Sequence, residues 1–229
     1  MKRHEFSARF IDNVQLTEWS QDGRSHGFYQ RYGKRIFDIV GATMLLVLTT
    51  PIIVIAALLI ALTGEKPFFS HSRVGQNGRP FPCFKLQTMR SESKRLLRHI
   101  VRTNVLAAEE WETQQKLSHD PRITRLGRFL RKSSIDELPQ LLNILSGEMS
   151  LVGPRPVTED ELKFYGPHLP AYLSLKPGLT GFWQVHGRGT TTYDERIWMD
   201  SSYADSVCFW VDLKLALQTA SVIVKRTGT

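Results

Sequence analysis

The stretch from Ile39 to Thr63 reads IVGATMLLVLTTPIIVIAALLIALT and contains no charged residue. As a helix it is long enough to cross a bilayer. A core helix of a soluble protein is the alternative, but soluble cores rarely need an uncharged run of this length. Pro51 lies at the centre of the stretch and predicts a bend, because a mid-helix proline removes one backbone hydrogen bond. The hydroxyls of Thr49 and Thr50 are expected to satisfy the freed carbonyls.

Basic residues flank the apolar stretch on both sides. Since positive charge tends to stay in the cytoplasm, both flanks are expected on that side of the membrane. A re-entrant helix-hairpin that enters the bilayer and returns meets both conditions, and a kinked full span is the competing arrangement. The predicted organisation is a polar N-terminal arm (1–33), the membrane hairpin (34–66) and a cytoplasmic domain (67–229). The flanking basic residues are Arg31, Lys34 and Arg35 before the stretch, and Lys66, Arg73, Arg79, Lys85 and Arg90 after it.

The composition narrows the class of partner without selecting one. Lys and Arg number 30 and Asp and Glu 22, a formal net charge of +8 that suits anionic lipid head groups, nucleotide phosphates or nucleic acid. The two cysteines are too few for a disulfide framework and are not spaced as zinc ligands. The chain therefore reads as a basic, membrane-associated protein with reduced thiols.

The rest of the chain predicts a helix-rich α+β fold. Residues 68–74 and 81–86 form strand-like runs around the pair Asn77-Gly78, which is typical of a tight β-hairpin turn. Apolar periodicity predicts helices over 91–117, 123–132, 135–145 and 207–224. The helix over 123–132 has one apolar and one basic face, a pattern that suits a helix lying among lipid head groups.

The string Ser133-Ser134-Ile135-Asp136-Glu137 is the centre of the predicted chemistry. Ser134 and Glu137 have the spacing of a capping box, which predicts a helix start here or, because of Pro139, a few residues later. Adjacent carboxylates in a first turn are common and can be purely structural. Next to Arg131, however, a carboxylate stays ionised and can attack phosphorus, and a second carboxylate can help to hold Mg²⁺.

Arg155 lies between Pro154 and Pro156, which restrict the backbone on both sides. A rigid loop loses less entropy when its guanidinium binds an anion. Arginine can also grip phosphate oxygens with two parallel hydrogen bonds. Arg155 is therefore a candidate phosphate contact, although a surface arginine in a turn is the simpler interpretation of the residue alone.

Three motifs in order resemble the bacterial sugar transferase family, the monotopic phosphoglycosyl transferases. They are RKSSIDELPQL (131–141), GEMSLVGPRP (147–156) and KPGLTGFWQV (176–185). The lead-in KRIFD (34–38), the apolar stretch and the pair Phe84-Lys85 fit the same pattern. The resemblance covers residues 34 to about 225, and the short chain is similar to members that initiate exopolysaccharide repeat units.

The resemblance implies a reaction. Asp136 would attack the sugar-linked phosphorus of a UDP-sugar, expel UMP and pass the sugar phosphate to a polyprenol (undecaprenyl) phosphate. Glu137 would assist with Mg²⁺ and proton transfer, so Asp136 and Glu137 are the expected metal contacts. The implied location is the cytoplasmic face of the bacterial inner membrane, among lipids and without nucleic acid; whether the chain forms a homo-oligomer stays open, as does the sugar. The implied phosphate and nucleotide contacts are Arg131, Arg155 and Lys85, with Gln184, Arg188 and Asp200 in the region that closes the nucleotide site.

Two positions depart from the family pattern. Thr50-Pro51 replaces a Ser-Pro pair and keeps the hydroxyl, while Gln87 replaces an arginine and removes a positive charge. Two other functions compete with the transferase. One is a membrane-anchored module that binds anions or nucleic acid, which leaves the acidic pair beside Arg131 unexplained. The other is a lipid-phosphate hydrolase that uses the same carboxylate. Release of UMP separates the transferase from both.

Overall fold

Helices make up most of the computed structural model, which describes residues 27–114, 117, 120–187 and 191–224. The two short sheets are an antiparallel pair, β1 (Phe68–Val74) and β2 (Pro80–Leu86), and a parallel pair, β3 (Ser150–Val152) and β4 (Gly178–Thr180). The helix-rich α+β class predicted from the sequence is confirmed. The helices are α1 (Lys34–Leu62), α2 (Ser93–Thr103), α3 (Val105–Gln114), α4 (Arg125–Lys132), α5 (Gln140–Ser146), α6 (Leu169–Ser174), α7 (Phe182–His186), α8 (Tyr193–Ser206) and α9 (Phe209–Val224).

The apolar stretch forms helix α1, which continues from a π-helical turn at Tyr29–Gly33. Among the described residues, Tyr29–Leu62 is one helix that is long and apolar enough to cross a membrane, judged by length and composition. Pro51 lies inside α1 and removes the hydrogen bond to the carbonyl four residues earlier. The hydroxyls of Thr49 and Thr50 bond to the carbonyls of residues 45 and 46 at 2.7 and 2.6 Å. The expected rescue of the freed carbonyl is therefore wrong, because each hydroxyl reaches back along its own turn.

Both ends of α1 contact the same folded body. At the start, Lys34 Nζ lies 2.7 Å from the carboxylate of Asp212 on α9. At the other end, Ile60 is buried in a cluster with Leu86 of β2 and Leu130 of α4. The middle of the helix, from Met44 to Leu59, presents mainly exposed apolar side chains. The apolar face is thus left open between two fixed ends.

The predicted β-hairpin is confirmed. Strands β1 and β2 pair from Phe68 opposite Leu86 to Val74 opposite Pro80. At the turn, Asn77 has a φ of 57° and Gly78 a φ of 74°. An Asn-Gly pair accepts these positive φ angles at low cost, which is why the local sequence was sufficient to locate the hairpin.

The predicted helix over 91–117 is in fact two helices. Helix α2 ends at Thr103 and α3 starts at Val105, because Asn104 has extended backbone angles. The amide of Asn104 bonds to the carbonyl of Ile100, and its side-chain oxygen accepts from the amide of Ala107, so one residue closes the first helix and caps the second.

Candidate active site

A strained turn presents the acidic pair. Ser134 has a φ of 57°, in the left-handed region that non-glycine residues rarely adopt, and makes no side-chain cap bond. A single 3₁₀ turn, Ile135–Glu137, follows it, and α5 begins only at Gln140. The capping box predicted for Ser134 and Glu137 is therefore wrong, and the later helix start is confirmed.

The carboxylate of Asp136 is buried among charged groups, with 7% of the residue exposed. Lys85, on β2, donates to Glu137 Oε1 at 2.6 Å. Burial, together with the charge of Glu137, raises the pKa of Asp136 to about 6, although the charges of Lys85 and Arg131 oppose that rise. At neutral pH the ionised form of this carboxyl group predominates, and because the group is buried it has few water molecules around it. Such a carboxylate is suited to nucleophilic attack.

Arg131 is held in place from the hairpin side. Its Nε donates to Thr88 Oγ1 at 2.9 Å, and burial lowers its pKa. Behind it, Arg122 and Asp120 form a two-bond ion pair with distances of 2.8 and 2.6 Å. The fork of hydrogen bonds fixes a second guanidinium whose charge acts on Arg131. The side chain at position 131 therefore enters the site with little freedom.

Arg155 is positioned by a buried acid on another element. The backbone amide of Arg155 donates to the Asp200 carboxylate of α8, which also accepts from Tyr165 Oη at 2.9 Å. Burial raises the pKa of Asp200 to about 7, and those two hydrogen bonds oppose the rise. Asp200 therefore holds the Pro-Arg-Pro loop from beneath and leaves the guanidinium exposed.

The parallel pair β3–β4 forms the base of the same loop. The amide of Gly153 bonds to the Thr180 carbonyl, and the amide of Gly178 bonds to the Pro154 carbonyl, both at 2.8 Å. A Cβ atom on Gly178 would lie 2.1 Å from the Gly153 nitrogen. Only glycine allows these two backbones to approach so closely. The KPGLTG motif thus supports the GPRP motif.

Three further residues that the sequence singled out are Gln184, Gln87 and Arg188. Gln184 lies on the short helix α7, beside Trp183. Gln87 follows β2 and donates to the Met89 carbonyl at 2.6 Å, so it braces the loop after Lys85. Arg188 lies outside the described residues.

The structure adds residues that the sequence reading missed. Trp183 lies under the guanidinium groups of both Arg155 and Arg196, at 5.0 and 4.5 Å from its ring centroid. Arg196 precedes Asp200 by one helical turn, a spacing that could have indicated it. Thr88, three residues after Lys85, is the partner of Arg131.

Charges from the turn that carries Glu137 and from the Pro-Arg-Pro loop act on the same buried group of β2. The charges of Lys85, Glu137 and Arg155 all act on the buried thiol of Cys83 on β2. The turn that carries Asp136 also contacts helix α1, since Ile135 packs against the cluster of Ala56 and Ile60. The arrangement combines a buried carboxylate, several fixed cations and an apolar surface, and is suited to phosphoryl chemistry.

Comparison with known proteins identifies the family of the chain. The family model described as bacterial sugar transferase matches residues 29–226, which is most of the chain. The chain belongs to the bacterial sugar transferase family. The resemblance seen in the sequence motifs is therefore confirmed.

Several curated relatives are similar over nearly all of this family member. A UDP-galactose-lipid carrier transferase of Erwinia amylovora is 46% identical over 219 residues, which is 96% of this chain. An undecaprenyl-phosphate galactose phosphotransferase of Salmonella typhimurium is 43% identical over 86% of the chain. The exopolysaccharide production protein ExoY of Rhizobium meliloti is 42% identical over 86% of the chain.

The relatives differ in length from this bacterial sugar transferase. The chain spans 46% and 42% of the Erwinia and Salmonella proteins, but 87% of ExoY. The matched part is therefore less than half of the longer relatives and nearly the whole of the shorter one.

Proposed function

We propose that the chain transfers a sugar 1-phosphate from a UDP-sugar to a polyprenol phosphate at the cytoplasmic face of the bacterial inner membrane, releasing UMP. The observation that carries this proposal is the buried Asp136 carboxylate, held among Lys85, Glu137 and Arg131 on a turn that packs against the membrane helix. The names of these relatives support the same acceptor and a role in exopolysaccharide synthesis.

The reaction proceeds in two displacements. A carboxylate oxygen of Asp136 forms a bond to the sugar-linked phosphorus, and the bond from that phosphorus to the bridging oxygen breaks, so that the electron pair leaves with UMP. A phosphate oxygen of the polyprenol phosphate then attacks the same phosphorus and displaces the Asp136 carboxylate. The product is a polyprenyl-diphosphate sugar and the enzyme is restored. Ping-pong kinetics are expected.

The acidic pair also fits a magnesium ion. Mg²⁺ is commonly held by one or two carboxylates together with substrate phosphates, and Asp136 and Glu137 supply two adjacent carboxylates beside the proposed phosphate site. The described residues contain no cluster of three or more His, Cys, Asp and Glu side chains, so the remaining ligands would be phosphate and water oxygens. When bound, Mg²⁺ would neutralise charge on the diphosphate. Lys85 shares Glu137 and competes for that carboxylate.

The contacts of α1 support a re-entrant membrane segment. Lys34 at its start and Ile60 near its end both pack on the domain that carries Asp136. A helix that crosses the bilayer fully would carry one of these ends away from that domain. We therefore place both ends on the cytoplasmic side, with the exposed middle of α1 in lipid.

UMP release tests the function directly. Membranes containing the protein are incubated with Mg²⁺, undecaprenyl phosphate and a panel of UDP-sugars, beginning with UDP-galactose and UDP-glucose. We expect UMP and a lipid-linked sugar diphosphate in equal amounts with one donor. Release of inorganic phosphate from the lipid without UMP would favour the hydrolase, and no product with any donor would favour a binding module.

The pH dependence of the first displacement reports the Asp136 carboxyl. Because the reactive form is ionised, kcat/KM for the UDP-sugar should rise as the pH rises through about 6 and fall about tenfold per pH unit below it. Lys85→Met removes a charge that lowers the pKa of Asp136. The fall in kcat/KM at low pH (the acid limb) should therefore move to higher pH in this variant. Arg79→Gln, on the exposed hairpin turn, should leave the limb in place. An acid limb that stays unchanged in Lys85→Met would contradict the assignment of the limb to Asp136.

A further inference from the structure

Two guanidinium groups share one indole ring near the Pro-Arg-Pro loop. Arg155 reaches Trp183 from that loop and Arg196 reaches it from α8, with distances from guanidinium carbon to ring centroid of 5.0 and 4.5 Å. The ring attracts each cation, but the two cations repel each other. Burial lowers the pKa of Arg196, and the charge of Arg155 lowers it further. Such a pair is most stable when an anion lies between its members.

Two buried hydrogen-bond donors near the Arg196 guanidinium lack an acceptor among the described residues. Within the part of the chain that the structure describes, Arg196 Nε and Tyr193 Oη are buried and have no hydrogen-bond partner. The nearby carboxylates are already engaged. Glu161 pairs with Arg73 at 3.1 Å and caps its own helix, while Asp200 accepts from Tyr165 and from the Arg155 backbone. A buried donor without an acceptor is costly, so these groups are expected to face a ligand with several oxygens.

We infer that Arg196, together with Arg155, binds the phosphate of the leaving nucleoside monophosphate. This inference rests on the proposed function. Asp136 attacks from the side of Lys85 and Arg131, so the breaking bond points away from those cations. Arg155, Arg196 and Trp183 form a second cationic group, which comes from the Pro-Arg-Pro loop, α8 and α7 and not from the turn that carries Asp136. As the bond to the bridging oxygen breaks, the electron pair moves onto the UMP phosphate, where two fixed guanidinium groups stabilise it.

Binding of UMP to the whole protein in detergent tests this assignment. Calorimetric titration should show that Arg196→Gln weakens UMP binding roughly 10- to 100-fold, the usual loss for a hydrogen bond to a charged group. Uridine, which has no phosphate, should bind Arg196→Gln and the unaltered protein equally well. Arg196→Lys keeps the charge but not the planar fork and should give an intermediate loss. Arg79→Gln is the matched control, since it removes one exposed positive charge elsewhere, and it should bind UMP normally.

The acceptor is also a phosphate monoester, so a short polyprenyl phosphate is titrated in parallel. Unchanged binding of this lipid to Arg196→Gln supports the leaving-group assignment, and weakened lipid binding with normal UMP binding overturns it. Normal UMP binding by both Arg196 variants also overturns it, even if sugar transfer is demonstrated. If UMP binding depends on Arg196 but no UDP-sugar is turned over, the anion site stands and the proposed transferase function fails.

Discussion

Asp136→Asn is expected to abolish UMP release and, at the same time, to make the protein more stable at pH 8. The loss of the nucleophile should reduce turnover roughly 10⁴- to 10⁶-fold, as expected for removal of a group that forms the covalent intermediate. Membrane attachment should be unchanged, because α1 is held by other residues. The measurement is UMP release from the preferred UDP-sugar, together with trapping of phosphosugar-labelled protein in the absence of acceptor.

The gain in stability follows from the direction of the pKa change. The ordinary pKa of an aspartate is 3.8, and burial raises that of Asp136 to about 6, so the folded state favours the protonated form. Ionisation therefore destabilises the fold progressively as the pH rises from about 4 to 6, and the cost stays constant above that range. The full difference corresponds to about 3 kcal/mol. The Asn variant carries no such cost at pH 8 and should lose its advantage near pH 4.

Thermal unfolding at pH 4 and pH 8 measures this difference. Asp160→Asn serves as the control, because it removes an exposed carboxylate outside the site and should change little at either pH. An Asp136→Asn protein that keeps normal activity would rule out the covalent mechanism. An inactive variant with no stability gain at pH 8 would instead contradict the prediction that ionisation of the buried carboxylate destabilises the fold.

Among the substitutions proposed for this protein, Lys34→Met should cause the largest decrease in the free energy of unfolding. Asp212 is completely buried, and its carboxylate accepts hydrogen bonds from Tyr29 and Tyr203, both at 2.6 Å, in addition to the Lys34 ammonium at 2.7 Å. Removing the cation leaves a buried carboxylate without its counter-charge, which typically costs about 3–5 kcal/mol. Denaturant unfolding in detergent micelles gives the free energy directly.

Two further variants test whether the loss of stability comes from the unpaired charge of Asp212. The double variant Lys34→Met/Asp212→Asn should recover part of the stability, because it removes the uncompensated charge while keeping a polar group for the tyrosines. Arg31→Met, one helical turn earlier, removes an exposed cation whose guanidinium lies 5.4 Å from the centroid of the Tyr32 ring, and it should have little effect. Equal unfolding midpoints for Lys34→Met and the unaltered protein would show that the pair is not stabilising.

Features encoded by neighbouring residues were predictable from the sequence. The hairpin depends on Asn77-Gly78, and the long apolar helix α1 depends on 25 consecutive uncharged residues from Ile39 to Thr63. The turn at Ser134 was not predictable in this way. Its left-handed angle occurs where the Glu137 side chain pairs with the distant Lys85 and forms no capping box with Ser134, a tertiary contact that the local sequence does not encode.

Contacts between distant residues explain the rest of what was missed. The parallel pair β3–β4 joins two three-residue strands whose surroundings are rich in Pro and Gly, so no periodic pattern marks them. Arg196 meets Arg155 only because helix α8 and the Pro-Arg-Pro loop both pack beside Trp183. The acidic pair and Arg155 could be singled out by residue type and order, but their companions required the fold.

The attachment of both ends of α1 to one body has a consequence for biogenesis. In the re-entrant arrangement that we propose, with Lys34 and Ile60 on the same side, only the uncharged stretch that begins at Ile39 has to enter hydrocarbon. No ammonium, guanidinium or carboxylate group then has to cross the lipid. Transfer of such charged groups carries a high free-energy cost when a spanning segment is inserted. In that proposed arrangement, integration proceeds from one leaflet and is driven by the burial of apolar side chains alone.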